Sequence, residues 1–284
     1  MLELSKYWEI GYKREEQIII YEALMKKNKF EYVILLLIVV QSAIGLLFNV
    51  YRDIEWIKRT WFGNDLVTLF IISPLYFLTI KNENKQSIYK MFNLGIAGYL
   101  IYNYAYYLFG AALNELFILY VVVFICAIVN IIIKLSSIKI NDFKEYFEIE
   151  KSNMLISILY FFIGIGLGIV WIGMWVSYIY FNGKLPLEPE YFKLVASLDL
   201  VIIVPMMIIS GIYLLQKRSK GYLLGVIIGI EGSLYLLILS VNSVISGIAE
   251  NSFPGELPIW GSLFIVETIG IVLLLTHLKK HNIN

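Results

Sequence analysis

Long apolar stretches alternate with short polar ones along this chain, and eight of them reach membrane-spanning length: Glu31 to Tyr51, Trp61 to Ile80, Phe92 to Ala112, Leu116 to Ile133, Met154 to Tyr180, Leu194 to Leu215, Gly221 to Gly247 and Pro258 to Leu278. A helix needs about 20 predominantly apolar residues to cross the hydrocarbon layer. Lipid offers no partner to backbone N–H and C=O groups, and none of the runs has the strict alternation of a barrel strand, so all eight are expected to be helices. Pro258 suits the first position of the last helix, where its missing N–H costs nothing. The pattern predicts an all-α, polytopic membrane bundle of eight transmembrane helices.

The polar remainder sets the organisation. Residues 1–30 read as an interfacial segment, 31–133 as spans one to four, 134–153 as an amphipathic linker, 154–278 as spans five to eight and 279–284 as a tail. Between Lys13 and Lys29, Ile18, Ile19, Tyr21, Leu24 and Met25 suit the lipid side of a surface helix and the lysines suit headgroups. In the linker Ile140, Phe143 and Phe147 recur at helical spacing opposite Asp142, Lys144, Glu145 and Glu148. The N-terminal segment is too charged and its apolar stretch too short for a cleavable signal peptide. Two four-span repeats are a further expectation, since Asp65-Leu-Val and Asp199-Leu-Val each precede an intrahelical proline, Pro74 or Pro205. The aspartate-to-proline spacings differ, nine residues against six.

Basic residues fall unevenly between the runs. Eighteen lie in the two termini and the second, fourth and sixth loops, and five in the alternate loops. The positive-inside rule then predicts cytoplasmic termini. Composition agrees: 59% of the 284 residues are hydrophobic and 16% charged, with a mean hydropathy of +0.75. Too little chain is left outside the runs for a soluble domain with its own core. Nucleic-acid readers and Rossmann or P-loop enzymes are excluded, and a net charge of +1 points to no polyanionic partner. The partners expected are the bilayer and a small-molecule or cation ligand, with no nucleic acid.

Leaving aside Glu31 at the very edge of the first run, four carboxylates fall inside the runs: Asp65, Asp199, Glu231 and Glu267. A charge at the bilayer centre costs at least about 2.5–3.5 kcal/mol, so these groups should face the interior. Asp65 and Asp199 are expected near the outer surface, where capping of a helix N-terminus is a competing role. Glu231 and Glu267 are expected near the midplane. Glu231, Tyr235 and Asn242 share a stripe beside Gly221, Gly225, Gly229 and Gly232, a close-packing face. On the third run Tyr99, Asn103, Tyr106 and Gly110 share a face bordered by Tyr102 and Tyr107. The candidate pocket is therefore Glu231, Asp199, Asn103, Asp65, Tyr235, Tyr99, Tyr106, Asn242 and Glu267, opening outward. Interhelical hydrogen bonding is the plainer role for its asparagines and tyrosines. Pro74 and Pro205 should free the Phe70 and Val201 carbonyls and kink their helices. Gly164 and Gly168 read as a packing step, Trp171 and Trp175 as packing or interface anchors.

His277 and His281 are the two histidines, at the end of the last run, with no third metal ligand nearby. Haem ligation, a metal cluster and a histidine-activated nucleophile have no histidine in the membrane core to use. No catalytic residue, metal site or cofactor is assigned. The single cysteine, Cys126, cannot form an intramolecular disulfide.

The stretch Tyr99-Leu-Ile-Tyr102-Asn103-Tyr104-Ala-Tyr106-Tyr107-Leu-Phe109-Gly110, with Asn114-Glu-Leu-Phe117-Ile-Leu-Tyr120, resembles a family of uncharacterised bacterial multi-span membrane proteins. Leu198-Asp199-Leu200 and the basic loop before Gly221-Tyr222 extend that resemblance. It implies a multi-pass protein of the bacterial cytoplasmic membrane and supplies no site residues. Three functions stay open at this point: binding or transport of a small solute or cation, an intramembrane enzyme acting on a lipid headgroup, and a non-catalytic scaffold, sensor or assembly factor.

Overall fold

A computed structural model describes residues 29–83, 86–136 and 154–276. The amphipathic stretches expected between Lys13 and Lys29 and between Ile140 and Lys151 lie, apart from Lys29 itself, outside the described residues, as do both histidines. Among the described residues the fold is all-helical, with eight long helices: α1 (Lys29–Leu47), α2 (Glu55–Asn82), α3 (Ser87–Gly110), α4 (Phe117–Ser136), α5 (Met154–Phe181), α6 (Pro189–Leu215), α7 (Ser219–Ala249) and α8 (Leu257–Leu275). All but α3 are long and apolar enough to cross a membrane. The exception has a cause in composition, because α3 carries Asn93, Asn103 and six tyrosines; the asparagines and all the tyrosines but Tyr89 are buried.

The helices are solvated in reverse of a water-soluble bundle. Leu155, Phe162, Ile169 and Ile172 point outward from α5, while Gln41, Asn64, Asp65, Asn93, Asn103, Asn130, Lys134 and Glu267 are buried. Water would drive the first group inward and the second outward, whereas lipid does the opposite. The apolar helices thus describe a multi-pass membrane protein.

The two long central helices, α3 and α7, pack on each other; α3 also meets α2 and α4, and α7 meets α2, α6 and α8. Small residues set that central approach. A Cβ at Gly95 would stand 2.4 Å from the Ile230 Cβ, and one at Gly98 would stand 3.0 Å from Ile227 Cγ2. The glycines of α7 serve the other side, as the packing role for that stripe requires: Gly225 meets Leu274, Ser210 and Tyr160, Gly229 meets Ile271, and Gly232 meets Met207 and Glu267. Gly164 and Gly168 likewise admit α6.

Both intrahelical prolines follow a π turn. One spans Thr68–Ile72 and the other Asp199–Ile203, and Pro74 and Pro205 each stand two residues beyond. Widening the turn relieves the clash between the proline ring and the preceding carbonyls. In α2 the Thr68 carbonyl accepts both the Ser73 N–H and the Ser73 hydroxyl, the latter at 2.8 Å. Aligning the two helices on their π turns pairs Asp199 with Thr68 and not with Asp65, so the shared Asp-Leu-Val letters are not structurally equivalent.

Two starts differ from the expectation in a way that changes the chemistry. Polar opening turns, beginning at Glu55 and Pro189, extend α2 and α6 beyond their apolar runs. Asp65 and Asp199 therefore lie near three turns inside their helices, too deep for the capping role, and neither helix has a side-chain cap. In α8, which starts at Leu257, Pro258 takes the second position.

Candidate functional site

The polar interior divides into three layers along the bundle. At the end where α1 finishes and α2 begins, Asp65 is fully buried and saturated. It accepts Gln41 Nε2 at 2.9 Å and the Tyr107 hydroxyl at 2.8 Å on Oδ1, and the Tyr51 hydroxyl on Oδ2. Gln41 in turn accepts the Tyr104 hydroxyl at 2.7 Å. Gly45 makes room, since a Cβ there would lie 1.9 Å from Asp65 Oδ2. Burial, then the adjacent Asp65 charge, hold the Tyr51 phenol well above its usual range, so it stays a donor. Rings of Tyr51, Tyr106 and Tyr107 surround Trp61, whose indole N–H reaches Asp53 Oδ2 at 3.0 Å. Asp53 also accepts the Ala112 N–H at 2.9 Å and so ties the first loop to the third.

The middle layer holds the other candidates. Asp199 accepts the Tyr102 hydroxyl at 2.7 Å and the Trp171 indole N–H at 2.8 Å, joining α6 to α3 and α5. Tyr235 packs edge-on against Tyr102, with ring centroids 4.8 Å apart. Glu231 lies across α3 at Gly98, where a Cβ would stand 3.9 Å from its own, and is within electrostatic reach of Asp199, Glu267, Tyr102, Tyr99 and Tyr235. Both of its carboxylate oxygens are buried and have no hydrogen-bond partner. The same is true of Glu267, which sits 3.8 Å from the position of a Cβ on Gly232 and within electrostatic reach of Tyr160. Ser233 and Thr268 add two buried hydroxyls without partners.

The asparagines form a separate seam. Asn242 Nδ2 donates to Asn64 Oδ1 at 3.4 Å, and Asn64 Nδ2 donates to Asn103 Oδ1 at 3.3 Å. Asn103 Nδ2 and Asn242 Oδ1 stay unpartnered and buried. Tyr99 meets Thr68 at 3.3 Å, beside the π turn. The candidates are thus brought together in part: Asp199, Tyr235 and Glu231 form one group through Tyr102. Asn103 and Asn242 form another through Asn64. Asp65 and Tyr106 belong to the tyrosine cage, and Glu267 lies on the far side of α7.

Several contributors are not among the sequence candidates: Gln41 and Tyr51, which donate to Asp65, and Asn64, which links Asn103 to Asn242. Tyr102 and Tyr107, at the borders of the α3 face, donate to Asp199 and Asp65, and Trp171 is a hydrogen-bond donor to Asp199 as well as a packing group. Their signal was present: an aromatic with a polar tip, buried in a span, needs an acceptor.

The third layer lies at the opposite end of the first four helices. Lys134 is buried there between Glu31 and Glu83, its Nζ 2.5 Å from Glu31 Oε1 and 2.9 Å from Glu83 Oε1. Asn93 Nδ2 bridges the two acids, at 3.0 Å from Glu31 Oε2 and 3.4 Å from Glu83 Oε2. Glu31 opens the first apolar run and Lys134 opens the linker after the fourth, so neither is among the sequence candidates. Among the described residues no group of three His, Cys, Asp or Glu side chains could hold a metal ion.

No protein-family model matches this chain, and comparison with curated proteins and with solved structures finds no significant match. The functional reading therefore rests on the geometry.

Proposed function

We propose that this multi-pass membrane protein binds a small monovalent cation, or the cationic group of a small solute, in its interior at Glu231, with Asp199, Tyr102 and Tyr235 beside it. One observation carries the reading: the Glu231 carboxylate is buried with neither oxygen hydrogen-bonded, in an interior where Asp65 and Asp199 are well supplied with donors. An isolated buried carboxylate is too costly to persist as a bare charge, so it takes up a proton or a cation. Exchange of one for the other is the elementary step of proton-coupled cation movement. The two π turns flank the layer, and such turns in membrane helices are suited to local rearrangement.

The test is flux into proteoliposomes containing the full chain, with sodium and the potassium tracer rubidium as probes and a pH-sensitive dye reporting protons. Glu231→Gln should abolish the signal and Asp199→Asn should weaken it. Unchanged flux in both variants, or no cation-dependent signal in the wild type, contradicts the reading.

A further inference from the structure

Independently of Glu231, we propose that the carboxylate oxygens of Glu31 and Glu83, bridged by the Asn93 amide, form a second, monovalent-cation site, whose resident occupant is the chain's own Lys134 ammonium. Four helix ends converge here: the start of α1, the residue after α2, the early turns of α3 and the last turn of α4. Glu31, Asn93 and Lys134 are fully buried and Glu83 is 5% exposed, so water does not screen the group.

The oxygens that hold the ammonium could equally hold a small free cation. Lys134 offers three N–H groups. Around it stand four carboxylate oxygens, with Glu83 gripping the ammonium through both of its own at 2.9 and 3.0 Å. The Asn93 carbonyl oxygen is buried and has no partner, although its amide nitrogen touches both acids. One turn before Lys134, Asn130 gives its amide to the Tyr76 hydroxyl at 3.3 Å and keeps a second unpartnered buried oxygen. Tyr76 is itself within electrostatic reach of Glu31 and Glu83. An all-oxygen set of this kind suits hard cations.

Lys134 hangs on a four-carbon stem from the final turn of α4, so its head can leave the cage by rotation of the side chain. A free cation taking its place would keep the acids neutralised while detaching the end of α4 from α1, α2 and α3. The cage is therefore a cation site with a tethered competitor, and its occupancy is coupled to the position of that helix end.

The experiment is thermal unfolding of the full chain in detergent, in choline chloride and then at matched ionic strength in sodium, potassium or methylammonium chloride. All chains compared carry Glu231→Gln, so that cation binding at Glu231 does not shift the midpoint; with Lys134 intact the midpoint should be the same in all four salts, because the tethered ammonium outcompetes free ions. Lys134→Met should lose about 10 °C in choline and regain at least half of that loss in one of the other salts. Should that variant not fold in choline, Glu31→Gln combined with Lys134→Met keeps one acid and should show a smaller cation-dependent gain. Glu31→Gln, Glu83→Gln and Lys134→Met together should show none. Salt-independence of both acid-bearing variants overturns the proposal. So does an equal gain in the variant without acids.

Discussion

The same chemical change, a carboxylate replaced by its amide, should have opposite consequences at Asp65 and Glu231. Asn at position 65 keeps one oxygen for Gln41 and Tyr107 and turns an NH₂ toward the Tyr51 hydroxyl. One charge-assisted hydrogen bond is lost, worth roughly 1.5–3 kcal/mol, and two others fall from charged to neutral strength, at about 1 kcal/mol each. The total is about 3–5 kcal/mol, a large share of the roughly 5–15 kcal/mol that holds a folded domain. Gln at position 231 breaks no hydrogen bond, because the carboxylate makes none. Its effect on stability in choline should stay within about 1 kcal/mol of zero. Thermal unfolding midpoints of the two variants in one detergent measure the contrast directly. Equal losses, or a greater loss for Glu231→Gln, would refute the division of the interior into a saturated cage and an unsatisfied acid.

Tyr102→Phe and Trp171→Phe should each cost about 1–2 kcal/mol by stripping one donor from buried Asp199, visible as lower midpoints. Combined, they should cost less or more than the sum, since both act on one carboxylate. Gly95→Ala should separate α3 from α7 against Ile230 and cost about 1–3 kcal/mol. Gly166→Ala, with nothing within 4 Å of the added Cβ, should be neutral or stabilise by up to about 1 kcal/mol. Tyr51 has its phenol raised by burial, so the native state holds that proton more tightly than the unfolded chain. Its contribution to stability should be complete below about pH 10 and decline above it. Tyr51→Phe should flatten that alkaline decline in unfolding midpoints recorded against pH.

The eight helices were legible because lipid imposes a simple rule, that every span must be long, apolar and internally hydrogen-bonded. Helix starts were less legible where polar turns precede the apolar run, as at Glu55 and Pro189, and that suggested a capping role which Asp65 and Asp199, about three turns inside their helices, do not have. Face assignments on α3 were near the mark but rotated: Tyr99, Asn103 and Tyr106 meet α2, while Tyr102 and Tyr107 reach the acids. Beyond Thr68 and Asp199 each π turn inserts a residue, and a wheel drawn at constant pitch loses register there. The Glu31–Glu83–Lys134 cage was hidden for a different reason. Its members lie at the ends of four different helices, far apart in sequence, where lysines and glutamates ordinarily meet water.

The most direct measurement is infrared difference spectroscopy of the reconstituted protein, recorded as choline is exchanged for sodium or potassium at constant pH. Cation binding at Glu231 should remove a protonated-carboxyl C=O stretch and add carboxylate bands, reversibly, and Glu231→Gln should erase that difference while Asp65→Asn leaves it in place. A wild-type spectrum without cation-dependent carboxyl bands, or bands that persist in Glu231→Gln, would contradict the account.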